Sequence, residues 1–265
     1  MHRATVICLL LTIGSLAAAD LTLDERLDIL WERAVRQSDF ARFDDAIATG
    51  RRAVAIAPER ADAWALLAYT HWLHPDGLEH LAQGQVQRAL GIDPDCARAR
   101  MVSGLLTPWV TDPPDYRLAV AELERATALD ATLPRAWSML GLARLDAREP
   151  RRALPALRNA VELGRQYYEW PMNLAEGLTA LGRRKEAVEA ARRAAELTFS
   201  DFSEQLARNN LAWHICMLLP DDPARRGEAL QSARRAVHLL PDDPVNLDTL
   251  GTAEFLFGDP TRASE

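Results

Sequence analysis

Within residues 71–80 lie five side chains capable of metal or acid–base chemistry: His71, His74, Asp76, Glu79 and His80. Imidazoles mixed with carboxylates are the donors that hold zinc or a similar metal. Their spacing matches no standard zinc site, and His74-Pro75-Asp76-Gly77 reads as a turn between helices. The plainer expectation is a solvated polar loop without metal, with a metal-binding or enzymatic accessory centred on His71, His74 and His80 as the alternative. His214 and His238 stand singly within helical patterns and read as packing or surface residues. The chain contains no glycine-rich phosphate loop, no serine-centred nucleophile elbow and no Cys-x-x-Cys. The sequence is therefore expected to encode no enzyme, and to need no cofactor.

The elements that would position these residues repeat. Residues 51–58 read R-R-A-V-A-I-A-P and residues 234–241 read R-R-A-V-H-L-L-P, with related octets between them. Their central alanines, Ala53, Ala89, Ala126, Ala160, Ala194 and Ala236, are separated by 36, 37, 34, 34 and 42 residues. A near-constant period of this size marks an array of stacked units. Within 134–167, Trp137, Leu140 and Leu145 follow Pro134 at helical spacing. The pattern breaks at 147–150, and a second helix follows to about Leu163 with Ala153, Leu157 and Ala160 on one face. Each unit is thus a helix, a turn and a helix. A pair of such short helices cannot bury its apolar face alone, so the next pair must stack upon it.

Small residues recur where the two helices of a unit would cross. The first helices carry Ala34, Ala68, Gly104, Gly141, Ala175, Ala212 and Gly251; the second carry Ala46, Ala82, Ala119, Ala153, Ala187, Ala229 and Ala263. The pattern Trp64-Leu67-Ala68 with Ala82, Ala89 and Pro94, repeated as Trp137-Leu140-Gly141 with Ala153 and Ala160, resembles the tetratricopeptide repeat, and Asn209-Asn210-Leu211-Ala212-Trp213 is similar to a form found in its bacterial members. Arg100 and Arg208 stand where that family usually has a large apolar residue, and Arg165 and Phe199 replace its terminal proline. The resemblance implies an all-α, right-handed solenoid with units at about 27–60, 61–96, 97–133, 134–167, 168–204, 205–243 and a partial 244–265. Thr22-Leu23-Asp24-Glu25 has the capping-box pattern that opens the first helix. Extra residues are expected in the inter-helix turns of the second, third and sixth units (around 74–77, 107–115 and 219–223), and after the second helix of the fifth, around 199–204.

Composition bounds the rest. At 48 % hydrophobic and 26 % charged, the chain belongs to the folded, soluble type. A net charge of −7, with Lys185 the single lysine, excludes the electrostatic attraction that nucleic acid or an anionic membrane would need. Residues 1–19 have a short basic start, an apolar core from Thr5 to Leu16 and Ala17-Ala18-Ala19 before Asp20, the pattern of a cleaved secretory signal. The expectation is an exported protein, periplasmic or secreted, without stable membrane insertion once that segment is removed. Cys96 and Cys216 then lie several units apart and should remain free thiols.

The resemblance also implies that the first helices line a concave surface which binds a protein or peptide. Mapped onto this chain, the lining stripe is Trp31, Asp62, Tyr69, Trp72, Arg98, Met101, Trp109, Arg135, Glu169, Glu176, Asn209 and Trp213, with aromatic residues as anchors. Trp64 and Trp137 read as core instead. The Lys–Asn–Arg clamp with which some members hold a C-terminal carboxylate is missing. Phe255, Leu256 and Phe257 approach the end of the incomplete seventh unit, an edge at which residues 244–265 could dock a second copy.

Overall fold

A computed structural model describes residues 21–258. The expected leader at 1–19 and the second helix begun at Ala263 lie outside the described residues. Within them are thirteen α-helices and no strand: α1 (Leu23–Asp39), α2 (Phe43–Ile56), α3 (Ala61–Trp72), α4 (Glu79–Ile92), α5 (Ala97–Val110), α6 (Tyr116–Leu129), α7 (Pro134–Asp146), α8 (Pro150–Leu163), α9 (Glu169–Ala180), α10 (Arg184–Glu196), α11 (Asp201–Leu218), α12 (Arg226–Leu239) and α13 (Pro244–Phe257). Each helix packs on its successor, and the odd-numbered helices also pack on one another, so the hairpins stack as a solenoid. None of the described helices is long and apolar enough to cross a membrane.

Local chemistry accounts for the boundaries. The expected capping box opens α1: Glu25 N–H donates to Thr22 Oγ1 at 3.3 Å and Thr22 N–H to Glu25 Oε2 at 2.8 Å. Proline stands in the first turn of α7, α8 and α13, where no backbone donor is lost. Most of the small residues lie where the helices cross; Gly251 does not, being exposed with open space where a Cβ would sit. Ala34, Ala46, Ala68, Ala82, Ala119, Ala153, Ala175, Ala187, Ala212 and Ala229 are all at 0 % exposure. At Gly141 even alanine is too large, because its Cβ would come within 2.4 Å of Leu157 Cγ. A Cβ on Gly177 of the next unit would meet the same Leu157 at 2.5 Å, so one leucine keys two units together.

A second regularity explains an apparent defect. Trp64 Nε1 donates to the carbonyl of Pro58 at 2.7 Å, and Trp137 Nε1 to that of Ala131 at 2.8 Å, each six residues back. Arg100, in the equivalent place of the third unit, makes the same bond to Pro94 at 2.9 Å and pairs with Glu122 at 3.0 Å. The guanidinium keeps the donor of the indole it replaces, and its stem covers the apolar surface.

Two expected insertions are helix in part, with 111–115 and 199–200 outside the helices. Residues 107–110 continue α5 through Pro108, which offers no N–H to the carbonyl four residues back; Thr111 closes the last turn by donating to the Thr107 carbonyl (N–H at 3.2 Å, hydroxyl at 2.7 Å). Residues 201–204 are the first turn of α11, started by Ser200, whose Oγ accepts from Ser203 N–H at 3.1 Å and which is followed by Asp201 and Glu204. The turn at 74–77 and the one after Leu218 are present between helices as expected, the latter holding a short 3₁₀ segment, Pro223–Arg225.

The solenoid also closes on itself. Tyr167 Oη donates to Glu32 Oε2 at 2.7 Å, and Ser200 Oγ to the Asp39 carbonyl at 2.8 Å. The rings of Phe40 and Phe199 lie 5.8 Å apart. These contacts, between residues 135 and 161 positions apart in the hydrogen-bonded pairs, clasp α1 to the segments flanking α9 and α10. They lie beyond the nearest-neighbour contacts that a simple repeat array uses.

Candidate functional site

Closure brings seven of the expected lining residues together and spends them on one another. Trp31 and Tyr69 stack at 5.5 Å, and Trp72 follows at 6.0 Å from Tyr69. Arg98 lies 5.0 Å over Trp31, while Arg135 lies 5.4 Å from Tyr69 and 4.8 Å from Trp170. Arg135 also holds Glu169 at 3.1 Å. Trp31, Tyr69 and Met101 are buried. A surface open to a partner was expected there; the opposing unit covers it instead. Asp62 stands at the edge of this cluster, 3.8 Å from both Arg60 and Arg98.

The Arg135–Glu169 pair divides the inner face. Arg135 borders a small cavity of about 200 Å³ with Trp31, Glu32, Arg98 and Trp170. Glu169 borders a larger one of about 760 Å³. Its wall comes from six units: Asp39, Trp72, Leu105 and Trp109, Leu142 and Asp146, Met172, and Phe202 with Leu206. The turn of the third unit adds Pro114 to the rim, and the start of α6 adds Tyr116. Trp109 is 67 % exposed at this mouth. Glu176, Asn209 and Trp213 do not line this cavity; Glu176 and Trp213 are exposed, and Asn209 is half-buried.

The electrostatics of the larger cavity are acidic. Asp39, at 6 % exposure, is pushed up to about 7, first by burial and then by the neighbouring Glu169, with Arg135 and Arg36 pulling the other way. Asp146 is raised by burial as well. Among the described residues, none of the lining side chains is Arg, Lys or His.

Asp39, Tyr168 and Trp170 were missed in the sequence. Asp39 continues the spacing of Trp31 and Val35 by one further turn, a signal that was available. The Arg135–Glu169 contact was available too, because residues one period apart meet: Ser138 Oγ accepts from Asn173 at 2.9 Å, and Asp24 holds Arg60. Trp170 fits only because Gly164 beside it has no Cβ, which would lie 2.3 Å from Nε1.

The histidine cluster is dispersed. His71 is buried, its Nδ1 donating to Gln85 Oε1 at 2.8 Å, and burial pulls its pKa down. His74 packs its ring edge-on to Phe43 at 6.2 Å. Among the described residues, no group of three or more His, Cys, Asp and Glu is placed to hold a metal. Cys96 and Cys216 are both buried and free, and burial raises both thiols.

No protein-family model and no curated protein matches this sequence. Solved structures share the fold. The pilF protein of Pseudomonas aeruginosa is 20 % identical, with 85 % of this chain and 97 % of that one covered at a TM-score of 0.55. A thermophilic TPR protein of Thermus thermophilus is also 20 % identical, with 70 % and 98 % covered at 0.56. A chain of the APC/C hetero-tetramer Cut9–Hcn1 is 16 % identical, with 86 % of this chain and 42 % of that chain covered at 0.65.

Proposed function

From this tetratricopeptide-type solenoid we infer that the chain is a non-enzymatic scaffold that binds a protein or peptide segment on its inner face. The observation that carries the reading is the larger cavity of about 760 Å³, walled by apolar and aromatic side chains from six successive units, with Trp109 standing open at its mouth. A wall held by stacked helices is formed before the partner arrives, so little ordering entropy is lost on docking. The binding surface is narrower than the stripe expected from the repeat pattern: Trp72 and Trp109 belong to it, and the Trp31–Tyr69–Arg135 group supports it from behind.

The test is selection of a displayed random-peptide library on the full chain, repeated with Trp109→Ala and Leu142→Asp. Peptides that bind the parent and lose binding to both variants are the expected result. Peptides indifferent to both changes would move the binding surface elsewhere. The leader-like pattern at 1–19 supports export to the periplasm or beyond; N-terminal sequencing of the protein from its native cell should start at Asp20, and retention of Met1 would count against it.

A further inference from the structure

We propose that the segment taken into the larger cavity carries a lysine or arginine side chain set among apolar residues. This rests on the scaffold reading above and names the chemistry of its partner.

Three observations lead there. The cavity is apolar over most of its wall, yet Asp39, Asp146 and Glu169 reach it and no lining side chain is cationic. Glu169 is answered from behind by Arg135, at 3.1 Å. Asp39 is not answered at close range. Asp39 is a buried residue on the cavity wall, and the influences upon its carboxyl are burial and the more distant charges of Glu32 and Arg36 on its own helix, Arg135 on α7 and Glu169 on α9. Among the described residues, no hydrogen bond to this carboxyl relieves its desolvation.

A buried carboxyl without a donor is costly, and most such groups in folded proteins find one. A metal ion is a poor candidate, since no three suitable ligands converge among the described residues. An ammonium or guanidinium fits better: it supplies a charge-assisted hydrogen bond at Asp39, its aliphatic stem suits the apolar wall, and the indoles of Trp72 and Trp109 offer faces to the stem or the cation. Asp146 adds a second carboxylate on the same wall.

The experiment takes the best Trp109-dependent peptide from the library and resynthesises it with each basic residue changed to norleucine. Binding is measured at pH 8 and pH 6, on either side of the value of about 7 that Asp39 has in the empty cavity. Replacing the key basic residue should weaken binding about ten-fold or more at pH 8. Asp39→Asn should weaken the basic peptide by a similar factor and leave the norleucine peptide nearly unchanged, the coupling expected of a direct pair. The basic peptide should lose affinity at pH 6, where Asp39 is protonated, and the norleucine peptide should not. A urea midpoint for Asp39→Asn no lower than the parent's separates this from a folding defect. Trp109-dependent peptides that lack a basic residue, or that bind equally well with norleucine, would overturn this inference and leave the scaffold reading standing. A library without any Trp109-dependent peptide would overturn both.

Discussion

The two sides of the Arg135–Glu169 pair use similar residues to opposite ends. On one side Trp31, Arg98, Arg135 and Trp170 pack face to face around a cavity of about 200 Å³. Their rings and cations are consumed within the molecule. On the other side, Trp109 is left uncovered, Asp39 and Asp146 have no ion-pair partner among the described residues, and the space is about 760 Å³. An aromatic stripe along the inner helices therefore does not by itself mark a binding surface. What decides is how near the opposing units come, and here α1 is held at Tyr167 and Ser200, the segments flanking α9 and α10.

The sharpest way to break this contrast is Arg135→Met. It leaves Glu169 facing Asp39 in a poorly solvated place and removes two ring contacts, so unfolding free energy should drop by about 3–5 kcal/mol. Adding Glu169→Gln should recover a large part of the loss, as read by urea unfolding. A drop below about 1 kcal/mol would mean that the partition is ornamental.

Asp39→Asn should act in the opposite direction. The folded-state value of about 7 lies above the unfolded one near 3.8, so between those limits the native protein holds a proton that the unfolded chain has lost. Asp39 thus favours the fold below about pH 4 to 7 relative to alkaline pH, and its burial penalty is complete at pH 8. The asparagine variant should be more stable than the parent by roughly 2–4 kcal/mol at pH 8 and indistinguishable from it at pH 4. Equal stability at both pH values would remove the strained carboxyl from the description. If the gain appears together with weaker binding of basic peptides, the cost of Asp39 is tied to its use.

Tyr167→Phe loses one hydrogen bond of the clasp, to Glu32, and should cost about 1 kcal/mol. Smallest of all, Trp109→Ala should change the unfolding free energy, read by urea unfolding, by less than about 0.5 kcal/mol, since a side chain 67 % exposed contributes little to the core. A large destabilisation there would show that Trp109 belongs to the packed side of the comparison.

What the sequence disclosed and what it withheld follow from the range of the interactions. The period, the alanine and glycine crossings and the capping box at Thr22 are local or one unit apart, and they could be read directly. Pro108 and residues 201–204 are read as loop because proline ordinarily ends a helix, whereas tertiary packing here carries α5 past it, and because a well-capped start draws extra residues in. The clasp was not legible. It depends on small rotations summed over four to five units, and no spacing within one unit records that sum. Hence Trp31, Tyr69 and Met101 were assigned to the right face but to the wrong fate, and Asp39 was passed over as one more acidic residue at a helix end.

The bond from Tyr167 to Glu32 and the one from Ser200 to Asp39 have a mechanical consequence. A stack joined only coil to coil behaves as a spring: it stretches gradually and unravels from either tip. Latching the first coil to the fourth and fifth short-circuits that spring. Under tension, α12 and α13 peel away first, and the remainder yields only when the latch gives, as one block and with a single force peak.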